Sequence, residues 1–158
     1  MATSSTIVHI RGAGPTGSLA AIALASKGFS VVLYDPLSRE ELLSRSRAYA
    51  ITHSSRRLLT GLKLWDVLLR DLIPFHSLDL RDSATGGQVL FGLSDLQGSN
   101  RRAEAIGWIL DHHPLMKLLL NRLQQSDNVD LHLGSSAPQH NSNDLIVAAD
   151  GPRSTTRL

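Results

Sequence analysis

The chain has no cysteine, few aromatic residues and no long apolar run. None of its 158 residues is Cys, and Phe, Trp and Tyr together make up 4%. Without thiols there can be no disulfide, no thiolate metal site and no cysteine nucleophile, and the redox compartment stays open. The apolar stretch Leu19 to Ala25 is far too short to span a membrane. No basic segment followed by an apolar stretch and a cleavage site opens the chain, so no signal peptide is expected and a cytoplasmic location is the expectation. Lys and Arg number 16 against 14 Asp and Glu, a net charge of +2. They form no tract and no patch interleaved with aromatics, which argues against a nucleic-acid partner. Arg56-Arg57 and Arg101-Arg102 read as solvated surface. The seven histidines show no i,i+4 pairing with each other, so no metal site is expected. No Gly-x-Ser-x-Gly elbow occurs, and Ser54 and Ser55 read as helix caps rather than nucleophiles.

What is present is concentrated between Ile7 and Asp35. Ile7, Val8 and Ile10 predict a strand. Gly12-Ala13-Gly14-Pro15-Thr16-Gly17 follows, then an Ala/Leu-rich helix through Ala25 closed by Lys27-Gly28. Val31 to Tyr34 predict a second strand, and Asp35 stands at its end. This is the order of a nucleotide-binding βαβ unit. The first glycine permits the tight turn, the second lets a pyrophosphate approach the backbone, and the third lets the helix pack close to the strand. The helix N-terminus then offers unpaired N–H groups and the positive end of its dipole to phosphates. An acid about 20 residues beyond the glycines suits a ribose.

Further along, Leu37 to Arg47 reads as a loop with some helix. Ser54 or Ser55 is expected to cap a helix through Leu62, and a second helical stretch from Leu64 to Leu72 is expected to end at Pro74. From His76 the apolar period changes to two. Leu78 and Leu80, then Thr85-Gly86-Gly87, then Val89 and Phe91 predict a β-hairpin. Ile106 to Leu110 predicts a strand. Pro114 suits the first turn of a helix whose Leu115, Leu119 and Leu123 share one face. Val129 to Leu133 predicts a strand, and Leu145 to Ala149 a buried one.

Three blocks together resemble the FAD-dependent aromatic-ring hydroxylases, the group A flavoprotein monooxygenases, and within them the quinone-biosynthesis hydroxylases. The first is Gly12 to Gly17 with Asp35. The second is Arg47-Ala48-Tyr49-Ala50-Ile51 through Leu58, followed by Gly61-Leu62-Lys63-Leu64-Trp65. The third is Leu145-Ile146-Val147-Ala148-Ala149-Asp150-Gly151-Pro152-Arg153-Ser154. The resemblance implies an α/β, Rossmann-like FAD-binding fold with a parallel sheet and a small inserted β-hairpin. Residues 1–158 would be the FAD-binding domain, truncated relative to the family, with 76–104 as the inserted β segment.

By resemblance, Gly12, Ala13, Gly14, Pro15, Thr16 and Gly17 would hold the FAD pyrophosphate. Asp35 would accept hydrogen bonds from the adenosine ribose, and Arg47 would reach the flavin's phosphate or ribityl region. Asp150 and Gly151 would lie by the pyrophosphate. NAD(P)H would be the reductant and an aromatic or quinone-precursor molecule the substrate. No catalytic residue is assigned, because the groups that surround the flavin ring in the family lie beyond the blocks matched here. His112-His113-Pro114 stands where the family often has Arg or Gln near the start of a flavin-proximal helix. Two other classes stay open at this level: an NAD-dependent reductase with a minimal Rossmann domain, and a non-catalytic nucleotide-binding protein. Partnership with a second chain or a homo-oligomer stays open too.

Overall fold

Alternation of buried and half-exposed residues builds the first sheet. The computed structural model describes residues 7–96, 103–138, 145–152, 154 and 156. They divide into two compact units, one from the stretches up to Ser46 and from His112 on, the other Arg47–Asp111.

In the first unit, β1 (Ile7–Arg11), β2 (Ser30–Asp35), β8 (Val129–Leu133) and β9 (Leu145–Ala148) form a parallel sheet in the order β8-β2-β1-β9. Val8, Ile10, Val31 and Leu33 are buried on one face. Helices α1 (Pro15–Ala25) and α5 (His112–Gln124) pack against each other and against strands of this sheet. On α5 the Leu115, Leu119 and Leu123 stripe is buried as expected, widened by Met116 and Leu120. α1 ends at Ala25, and Gly28, at φ 87°, turns the chain into β2. Helix α2 (Arg39–Leu43) begins with a capping box between Ser38 and Glu41. Its Arg39 guanidinium donates to Asn121 and Gln124 on α5. Among the described residues β9 pairs with β1 alone, and it departs from the buried strand that its apolar letters suggest. Leu145 is 51% exposed, on a strand that is paired along one edge among the described residues.

The second unit is antiparallel. β3 (Ala48–Ile51), β7 (Gly107–Asp111) and β4 (Leu72–Phe75) pair in the order β3-β7-β4. β5 (Ser77–Arg81) and β6 (Gln88–Gly92) form the expected hairpin, with Leu78 opposite Phe91 and Leu80 opposite Val89. Asp82 accepts from the Thr85 hydroxyl and the Ala84 N–H to close its turn. A short 3₁₀ turn, Leu93–Asp95, follows.

Three local expectations change here. Helix α3 (His53–Gly61) is capped by Thr52, whose hydroxyl accepts from the Ser55 N–H at 3.3 Å, so Ser54 and Ser55 sit inside the first turn. The stretch after Leu64 is one short helix, α4 (Trp65–Leu68), and Pro74 belongs to β4. Proline is tolerated there because β4 is an edge strand. Arg56 is exposed, yet its guanidinium lies 5.1 Å from the Trp65 ring and 5.0 Å from the Trp108 ring. It is a cation–π residue rather than plain solvated surface. The expected inserted segment 76–104 lies partly outside the described residues. Among the described residues, no helix is long and apolar enough to cross a membrane.

Candidate nucleotide site at the end of the parallel sheet

Gly12 leaves β1 with φ 102°, a conformation that side chains resist, and donates its N–H to the Tyr34 carbonyl at 2.7 Å. A Cβ at Gly12 would strike the Ala149 carbonyl and lie 2.8 Å from the Asp150 nitrogen. The turn after β1 therefore rests directly on the backbone that follows β9. Two motifs far apart in the chain meet at the C-terminal end of the parallel strands, which is where such sheets take ligands.

Gly17 completes this packing. A Cβ there would overlap the Gly12 carbonyl oxygen and sit 3.1 Å from the Ala149 Cβ. Gly14 behaves oppositely: among the described residues, chain neighbours aside, no atom lies within 4 Å of the place a Cβ would occupy. One glycine of the three thus leaves open ground beside the start of α1, and the other two close the packing beneath it. Gly14 is the N-cap of α1 and Pro15 follows at the first helical position. No side chain caps the helix and no acid stands in its first turn. A helix start of this kind presents N–H groups and the positive end of its dipole. Thr16 is exposed, whereas Ala13 is fully buried and its carbonyl accepts from the Ser18 hydroxyl at 2.8 Å.

Asp35 is only 7% exposed. One carboxylate oxygen accepts from the Ala13 N–H at 2.7 Å and the other from the Leu37 N–H at 2.9 Å. Sequence reading places Asp35 next to the nucleotide but misses these backbone partners. An acid closing a strand beside a glycine turn is the only trace of them in the letters.

Asp150 and Gly151 follow β9, with Gly151 exposed at φ 84°. Burial pushes the Asp150 carboxyl up, but hydrogen bonds from Ser154 and Thr156 and from the backbone of Asp150 and Thr156 outweigh it, and bring the group down to about 2 from 3.8. The Thr156 hydroxyl donates at 2.9 Å. A group lowered on folding adds stability above its unfolded value and loses that contribution as pH falls through the folded one. Stability should therefore drop between about pH 4 and about pH 2 in part through Asp150. In acid melts followed by circular dichroism, Asp150→Asn should show a shallower loss over that window than the unaltered chain. Parallel curves would remove Asp150 from the account.

Arg47 opens the second unit, exposed, just before β3. The glycine turn, Asp35, Asp150 and Gly151 are gathered in the first unit. His112 is 2% exposed and its Nε2–H donates to the Leu42 carbonyl at 2.7 Å, which ties the start of α5 to α2. His113 Nδ1 lies 3.4 Å from the Leu43 carbonyl, beside that buried tie.

No family model matches the chain. A curated relative, the ubiquinone hydroxylase UbiL of Rhodospirillum rubrum, is 36% identical over 120 residues, which are 73% of this chain and 26% of that protein. The 3-demethoxyubiquinol 3-hydroxylase of Escherichia coli is 26% identical, over 99% of this chain and 44% of its own length. The crystal structure of PqsL, a probable FAD-dependent monooxygenase from Pseudomonas aeruginosa, superimposes with a TM-score of 0.69 and 20% identity, over 96% of this chain and 44% of that one.

The chain is a homologue of FAD-dependent monooxygenases.

Ubiquinone hydroxylases are among these homologues. The chain spans less than half the length of each of these two curated relatives. Likeness to PqsL at this identity establishes the fold, a mixed α/β unit with a four-stranded parallel sheet. The glycine turn, β2 with its terminal acid, and the strand leading to Asp150 all lie within that homologous region.

Proposed function

We propose that this chain binds FAD and forms the dinucleotide-binding part of a flavin-dependent hydroxylase. The carrying observation is the junction of Gly12 and Gly17 with Ala149 and Asp150, which leaves the ground above Gly14 open at a bare helix N-terminus. The FAD pyrophosphate would lie over Gly14, with Pro15 and Thr16 beside it and Ala13 beneath. The adenosine ribose would meet Asp35, and Asp150 and Gly151 would border the diphosphate. Arg47 would serve the phosphate or ribityl region. When bound, the flavin would supply the redox chemistry for oxygen insertion, with NAD(P)H as its reductant and an aromatic or quinone-precursor ring as substrate. The chain's own contribution is to bind the cofactor and orient its adenosine half.

The names of the relatives support this reading, since they are hydroxylases and FAD-dependent monooxygenases. The test is titration of the purified chain with FAD, followed by flavin fluorescence, with NADH and NADPH titrated in parallel. Saturable binding of FAD at least about tenfold tighter than of either nicotinamide nucleotide is expected, a gap of about 1.4 kcal/mol. NADH bound more tightly than FAD would favour a minimal NAD-dependent reductase. No affinity for any of the three would sink the nucleotide reading.

A further inference from the structure

We infer that Asp35 is a strut for the glycine turn, which acts on nucleotide binding through the backbone it holds. This goes beyond a ribose acceptor, and its ligand arm rests on the FAD reading above. Ala13 lies between two glycines in a turn and is fully buried. Its N–H precedes α1, so no helical carbonyl can take it. A buried N–H left without an acceptor is costly. The Asp35 carboxylate takes it at 2.7 Å.

The second oxygen of the same carboxylate takes the Leu37 N–H at 2.9 Å, across Pro36. That bond is an Asx-type turn, and it redirects the chain as it leaves β2. One side chain therefore sets the turns after both β1 and β2. A carboxylate can do both jobs, because both of its oxygens accept. An Asn in the same place would point an N–H at one of the two donors. A turn already held in shape loses less freedom when a ligand arrives. Two of the carboxylate's roughly four acceptor positions are taken by backbone. The benefit to a bound diphosphate then does not depend on the sugar's hydroxyls.

The experiment combines Asp35→Asn with two probes, ADP and 2′,3′-dideoxy-ADP, which lacks the ribose hydroxyls. If Asp35 is a strut, the variant binds dideoxy-ADP about tenfold more weakly and ADP at least as much more weakly. A loss confined to ADP would reduce Asp35 to a direct sugar ligand and overturn the inference. Amide hydrogen exchange of the ligand-free chain gives a readout that needs no nucleotide. The Ala13 and Leu37 amides should be protected in the unaltered chain. They should lose at least about tenfold of that protection in Asp35→Asn, while the Val31 and Leu33 amides keep theirs. Unprotected Ala13 and Leu37 amides in the unaltered chain would also overturn it. If Asp35→Asn does not fold, Asp35→Glu, which keeps the charge and shifts the oxygens by one methylene, should show the same paired losses. If the unaltered chain binds neither probe, the FAD reading fails, and exchange alone still decides the strut.

Discussion

Gly17→Ala is expected to destabilise the first unit strongly, whereas Gly14→Ala should keep its stability and bind FAD more weakly. The two positions differ by three residues and by one methyl's surroundings. At Gly17 the added Cβ overlaps the Gly12 carbonyl oxygen, a backbone atom fixed by its own place between β1 and α1, and it crowds the Ala149 Cβ at 3.1 Å. No rotamer relieves a Cβ. The helix must move off the strand, and the junction with β9 opens with it. A cost of about 3 kcal/mol or more is the scale for such overpacking. That is a large part of the roughly 5–15 kcal/mol that holds a domain. At Gly14 the methyl meets no atom of the described residues within 4 Å beyond its chain neighbours, and φ is −65°, which alanine adopts freely. Stability should change by no more than about 1 kcal/mol, through a poorer N-cap. FAD affinity should fall about tenfold or more, because the methyl fills the approach to the helix start. Denaturant melts and FAD titrations of both variants test this. Equal stability of the two would mean that Gly17 does not sit at a closed junction. Unchanged FAD affinity in Gly14→Ala would place the diphosphate elsewhere.

Leu119→Ala should cost about 2–5 kcal/mol, the range for leucines removed from a full core. Leu119 is fully buried on α5, which packs on α1 and the parallel sheet. Its neighbours along the helix, Leu115, Met116, Leu120 and Leu123, are buried to the same degree or nearly so. That leaves few free groups to fill a void. Lys117, on the same helix, is exposed. Lys117→Ala should change stability by less than about 0.5 kcal/mol. A difference of this size should separate the two melting temperatures by roughly 5–15 °C. If Leu119→Ala melts with Lys117→Ala, the helix face is not a core face.

The elements that carry the site were readable because their signals are local. Val8 and Ile10 alternate, a glycine turn follows, and an apolar helix closes on Lys27-Gly28. Each choice depends on near neighbours, so the first crossover emerged with its strands within a residue or two of their places. The Leu78/Leu80 and Val89/Phe91 pattern carried the hairpin for the same reason. Errors fell where the deciding partner was distant. Pro74 looks like a helix stop in the letters, and only its position on the open edge of a three-stranded sheet makes it a strand residue. Arg56 looks like solvated charge until Trp65 and Trp108 are brought beneath it. Leu145 and Ile146 look buried, yet they stand on an edge.

Local pattern and spacing pointed to the first βαβ unit and its candidate glycines, since backbone conformation and burial pattern are written residue by residue, and the resemblance of three motif blocks to a known family implied the class of fold. Tertiary structure decided which of those glycines are packing positions and which leaves room for a ligand. It also brought the backbone after β9 against Gly12 and turned both oxygens of Asp35 inward. Those outcomes depend on atoms more than a hundred residues apart, or on two chain turns meeting, and no local pattern encodes such contacts.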